Sequence, residues 1–108
     1  MSKRKRDFTI HVAQPAEASF LEVFDLTLAL HREGGYAPLD AQKAAEAVYR
    51  VMSEGMVFVA RDAKGAGIGT LGLTELRFWY SQDSFLQDAW VYVRPAWRRG
   101  GVGVALMK

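Results

Sequence analysis

Two short links constrain this chain more than any other feature. Asp62-Ala63-Lys64-Gly65 and Ser81-Gln82-Asp83-Ser84 are turn-forming quartets, and each lies between two long β-prone runs. The runs span residues 56–61, 68–80 and 85–93. A crossover to a parallel neighbour needs a dozen or more residues, so links this short force antiparallel pairing. The second half of the chain therefore reads as a three-stranded meander.

The first half supplies one more strand and two helices. Phe8-Thr9-Ile10-His11-Val12 alternates apolar and polar residues, as a half-buried strand does. Residues 16–32 form a helix, with Phe20, Val23, Phe24, Thr27, Leu28 and His31 near one stripe. Gly34-Gly35 ends it. Asp40 is placed to cap a second helix over 41–53, whose apolar side is Ala44, Ala45, Val48, Val51 and Met52. A last helix opens after Gly101. The order β-α-α-β-β-β-α, with a mostly antiparallel sheet, makes the fold α+β rather than doubly wound.

At 108 residues, half of them hydrophobic, the chain is long enough for one core and too short for two domains. It has no cysteine, which removes disulfides and cysteine-based nucleophiles or metal sites. His11 and His31 are too far apart for a local metal motif, so no metal is expected. No apolar run approaches the ~20 residues of a membrane span, and no signal-peptide core is present. The expected compartment is the cytoplasm. Lys3, Arg4, Lys5 and Arg6 supply four positive charges, and without them the net charge of +2 turns negative. Residues 1–6 are thus a basic tail on a domain covering 7–108. The tail reads either as a contact for nucleic acid or another anionic surface, or as a solvated, disordered terminus.

Two glycine motifs compete for a phosphate-binding role. Gly67-Ile68-Gly69-Thr70-Leu71-Gly72 spells G-x-G-x-x-G, but it lies inside a β-rich stretch instead of between a strand and a helix. Its glycines read as points of close approach. Arg98-Arg99-Gly100-Gly101-Val102-Gly103 has the right context. A strand ends at Pro95, glycines let the backbone turn tightly, and Val102, Ala105 and Leu106 recur at helical spacing. The first N–H groups of a helix lack internal partners and carry the positive end of its dipole. Such a junction suits a pyrophosphate, with Arg98 or Arg99 adding a charge-assisted contact.

Arg98-x-x-Gly101-x-Gly103 resembles the R/Q-x-x-G-x-G/A signature of the GCN5-related N-acetyltransferases, the GNAT superfamily. Val91-Tyr92-Val93-Arg94-Pro95-Ala96-Trp97 is similar to that family's strand-four ending, and the element order matches the family's N-terminal part. The resemblance implies an acetyl-CoA-dependent transferase that acetylates a primary amine. It implies that Arg98, Arg99, Gly100, Gly101, Val102 and Gly103 hold the coenzyme A pyrophosphate through their backbone. It further implies that the main chain of Tyr92 and Val93 pairs with the pantetheine arm, with the Val93 N–H as oxyanion donor.

Deprotonating the amine needs a base. Asp88 and Glu75 are the acids best placed in sequence, and strict alternation puts Asp88, Trp90 and Tyr92 on one strand face. Asp88 reads equally as a solvent-facing carboxylate. His31 and Tyr36 flank the loop between the helices, which in the resembled family lines the acceptor site. His31 could instead cap its helix C-terminus.

The family fold continues with a fifth strand, another helix and a hairpin. Without these C-terminal elements, strand four presents an open edge, and a homo-oligomer through that edge is expected. Two alternatives stand beside the enzyme: a non-catalytic coenzyme-binding or self-associating fragment, and a nucleic-acid-associated module using the basic tail.

Overall fold

The computed structural model describes residues 7–107, so the basic tail and its two readings lie outside the described residues. The elements follow the expected order. They are β1 (Phe8–Val12), α1 (Glu17–Gly34), α2 (Ala41–Glu54), β2 (Met56–Asp62), β3 (Gly67–Arg77), β4 (Ser84–Val93), a 3₁₀ turn (Pro95–Trp97) and α3 (Val102–Leu106). The strands form one antiparallel sheet in the order β1-β2-β3-β4. Local chemistry sets the connections. Asp40 accepts a hydrogen bond from the Lys43 N–H at 3.0 Å and caps α2. In the β2–β3 turn, Asp62 Oδ1 accepts from the N–H groups of Lys64 and Ala66, both at 2.9 Å, and Gly65 takes a positive φ of 85°.

Each face of the sheet carries its own core. On one face, Val23, Leu26 and Ala29 of α1 and Val48, Val51 and Met52 of α2 pack with Val57, Val59 and Tyr92. On the other, Val102 and Leu106 of α3 pack with Ala60, Ile68 and Leu71. The buried face of α1 is rotated from the centre of the expected stripe by roughly a third of a turn. Its centre is Leu26, which is fully buried, and Phe20 and Phe24 stack beside it at 5.5 Å. Acidic residues edge this apolar face, and arginines outside the helix meet three of them. Glu22 pairs with Arg61 at 2.7 Å, Asp25 with Arg94 at 2.9 Å, and Glu33 with Arg98 at 2.6 Å. Apolar residues also lie around most of the helix, Leu21 and Leu28 among them, so periodicity alone does not select the buried side.

Two irregularities shape the strands. β3 stops at Arg77, short of the expected 80, because Phe78, Trp79 and Tyr80 form the hairpin tip, with Phe78 against Phe85 at 4.7 Å. In β4 the register pairs Trp90 with Gly72 but Asp88 with Leu73, so Ala89 is an extra residue, a β-bulge. The glycines of the G-x-G-x-x-G string lie in β3 and mark close approach, as read. A Cβ on Gly69 would stand 3.2 Å from Val102 of α3, and one on Gly72 would meet the Trp90 ring. Among the described residues, no helix is long and apolar enough to cross a membrane.

Candidate functional site

The site lies where β4 gives way to α3. The Arg94 N–H makes the last ladder bond, to the Ile68 carbonyl at 2.8 Å, and Pro95 has no N–H with which to continue. The 3₁₀ turn closes through Trp97 N–H to the Arg94 carbonyl at 2.8 Å, and Gly100 N–H bonds the Trp97 carbonyl at 3.1 Å. Gly101 then adopts φ 82°, ψ 6°, the left-handed conformation that side chains resist. Val102 plugs into the core and anchors the start of α3. The N–H groups that open α3 lack intrahelical acceptors. The space beside them is open: a Cβ on Gly101 would meet nothing within 4 Å, and one on Gly103 only Val93 Cγ2 at 3.9 Å.

The Arg94–Ile68 bond fixes the polarity of the β4 backbone. Opposite residues of an antiparallel ladder alternate between bonded and non-bonded pairs. Tyr92, opposite Thr70, therefore turns its N–H and C=O toward β3, while Val91 and Val93 turn theirs to the open side. Of the two residues expected to meet the pantetheine arm, Val93 is the one whose main chain faces outward, and Val91 joins it.

Arg98 folds back instead of reaching outward. Its Nε donates to the Val93 carbonyl at 2.9 Å, and its Nη2 donates to Glu33 Oε1 at 2.6 Å. Its guanidinium also lies 5.7 Å from the centre of the Tyr92 ring, within cation–π range. The buried Tyr92 hydroxyl donates to the other oxygen of Glu33. The Tyr92 hydrogen bond, followed by that from Arg98, holds the Glu33 carboxyl below its usual range. Burial and then the Glu33 bond push the Tyr92 phenol above its usual value. Glu33 is not among the residues that the sequence marks for the site. Its signal is spacing: Glu22, Asp25 and Glu33 lie at i, i+3 and i+11, within about 80° of one another around the helix.

The remaining expected residues scatter around this centre. Arg99 is exposed, without a partner among the described residues. His31 Nε2 donates to the Ala37 carbonyl at 2.8 Å, so its ring holds the interhelix loop rather than a helix end. Tyr36 stands fully in solvent. Asp88 does not share a face with Trp90 and Tyr92. The bulge at Ala89 shifts its parity to the α3 face, where it lines a hollow of about 360 Å³ with Leu71, Leu73 and Leu106. Glu75 lies opposite Leu86, exposed on the outer part of the hairpin. A larger apolar groove of about 730 Å³, lined by Pro15, Phe20 and Tyr49, lies at the opposite end of α1 from Glu33. No group of His, Cys, Asp and Glu able to hold a metal occurs among the described residues.

No protein-family model matches the sequence, and no curated protein does so either. Solved structures do match the fold. A possible acetyltransferase from Clostridium difficile 630 superposes with a TM-score of 0.75 at 18% identity, over 93% of this chain and 66% of its own. An aminoglycoside acetyltransferase from an uncultured soil metagenomic sample, in complex with sisomicin, gives 0.67 at 20% identity, over 93% and 64%. A GCN5-related glucosamine N-acetyltransferase region of a fungal multi-domain β-N-acetylglucosaminidase gives 0.76 at 18% identity, over 96% and 12%. The chain spans about two thirds of the length of the first two. With its β-α-α-β-β-β-α order and its glycine turn at the end of β4, the chain has the fold of the N-terminal part of the GNAT acetyltransferases.

Proposed function

We propose that this chain binds acetyl-CoA at the turn between β4 and α3 and serves an N-acetyltransferase acting on a primary amine. The observation that carries the reading is the conformation of Gly101. Its left-handed backbone opens α3 with free N–H groups beside open space, next to the outward main chain of Val93. The residues fit a pyrophosphate: the N–H groups of residues 101–103 would hold it, and the exposed Arg99 would add charge. Arg98 is reserved for Val93 and Glu33 and acts from behind. The outward groups of Val91 and Val93 would pair with an amide-bearing arm as an added strand does. The N–H of Val93 would aim at the oxygen that gains charge during transfer. When bound, the coenzyme supplies an activated thioester acyl group.

Calorimetry with acetyl-CoA tests the binding, and release of free thiol over a panel of amino sugars, peptides and small amines tests the transfer. Absence of any heat of binding at millimolar coenzyme would refute the reading.

A second reading, self-association, is favoured by the same edge. Val91 is 36% exposed and Leu86 61%, and the outward groups of Val91 and Val93 could pair with a second copy. The two uses compete for the same backbone. Acetyl-CoA should therefore lower the mass of any dimer seen by light scattering.

A further inference from the structure

The geometry points to Glu33 as a positioning residue that holds the coenzyme turn in its binding shape through Arg98. This inference rests on the coenzyme reading above. It concerns a residue that never touches the coenzyme.

Three contacts converge on the Arg98 side chain: Glu33 at its Nη2, the Val93 carbonyl at its Nε, and the Tyr92 ring beneath its guanidinium. Arg98 is the first residue after the 3₁₀ turn and the third before Gly101. Fixing its side chain therefore fixes the entry to the turn, and it also fixes the carbonyl of the β4 residue whose N–H faces outward. Glu33 is what makes this rigid. One of its oxygens takes Arg98 and the other takes the Tyr92 hydroxyl, so the carboxylate is oriented from both sides. Tyr92 is itself held by the core, with 5% of its surface exposed. The chain of support runs from core to Tyr92 to Glu33 to Arg98 to Val93.

The same arrangement excludes Glu33 as the proton acceptor for the amine. A carboxylate that already accepts from an arginine and a phenol is a weak base. Its part is geometric.

Glu22 provides an internal control. It sits on the same stripe of α1 and takes Arg61 in a bidentate pair, with Nε at 3.1 Å to both oxygens, but it touches nothing in the turn. The test measures acetyl-CoA affinity by calorimetry and melting temperature by circular dichroism for the wild type, Glu33→Gln, Arg98→Gln, the double variant, and Glu22→Gln. Glu33→Gln is expected to weaken acetyl-CoA binding on the order of five-fold, and Arg98→Gln by at least as much. The double variant should be no weaker than Arg98→Gln alone, because Glu33 acts only through Arg98. Glu22→Gln should shift the melting temperature and leave the affinity unchanged. An unchanged affinity in Glu33→Gln would overturn the positioning role, as would fully additive losses in the double variant. A wild type that fails to bind acetyl-CoA would overturn the coenzyme reading and this inference together.

Discussion

Gly72 lies directly beneath the indole of Trp90: a Cβ built on it would stand 2.5 Å from Cε2 of the ring. The ring is fixed there by a short relay. Trp90 Nε1 donates to the hydroxyl of the fully buried Thr70 at 3.2 Å, and that hydroxyl donates to the Phe58 carbonyl at 3.0 Å. One absent side chain thus lets three strands share one aromatic lid.

Gly72→Ala should therefore destabilise the fold by about 1–3 kcal/mol, because the ring must leave its place or the strands must part. Urea unfolding measures the loss. A red shift of the tryptophan emission in the folded state would locate it at Trp90. An unchanged midpoint would mean that the ring has room to move.

Gly101→Val forces a β-branched residue into a left-handed backbone, at a cost of about 1–2 kcal/mol for the conformation alone. Acetyl-CoA binding should fall below detection by calorimetry while the far-ultraviolet circular dichroism stays native. Gly34→Ala is the contrast. Gly34 is helical and has nothing within 4 Å of its would-be Cβ, so the change should stabilise by about 0.5–1 kcal/mol.

The Glu33–Tyr92 bond predicts two limbs in the pH dependence of stability. The Glu33 pKa lies below its ordinary 4.5 in the fold, so its contribution is complete above 4.5 and is lost as pH falls through the lowered value. The Tyr92 pKa lies above its ordinary 10.0, so its contribution is complete below 10.0 and is lost as pH rises through the raised value. Melting curves across pH should show Glu33→Gln softening the acid limb and Tyr92→Phe softening the alkaline one. Parallel curves for wild type and both variants would contradict the assignment.

Asp88 faces α3, on the side of the sheet away from Tyr92 and Glu33. Asp88→Asn should accordingly leave acetyl transfer within about threefold of wild type, where loss of a true base costs a hundredfold or more. A fall of that larger size in kcat would return Asp88 to the reaction.

Features carried by neighbouring residues were legible in the sequence. The two turn quartets announce the meander, and Asp40 and Pro95 mark a helix start and a strand end by their own chemistry. Arg98-x-x-Gly101-x-Gly103 marks the turn before α3. What escaped depends on partners far along the chain. Glu33 acquires its place from Arg98, 65 residues away. Apolar residues lie around most of α1, so a search for apolar periodicity does not select the side that the sheet covers. The bulge at Ala89 has no residue signature at all, since alanine fits either side of a strand. Strict alternation therefore carries Asp88 to the wrong face.

That single extra residue gives β4 two independent parities. From Trp90 to Val93 the alternation is tied to Tyr92 in the core and to the outward backbone of Val91 and Val93. From Ser84 to Asp88 the opposite alternation turns Leu86 and Asp88 to the hollow beside Leu73 and Leu106. Ala89 is the point at which the strand exchanges one face of the sheet for the other. Deleting Ala89 would restore strict alternation, and either Asp88 would turn to the face of the α1 core or Tyr92 would turn away from it.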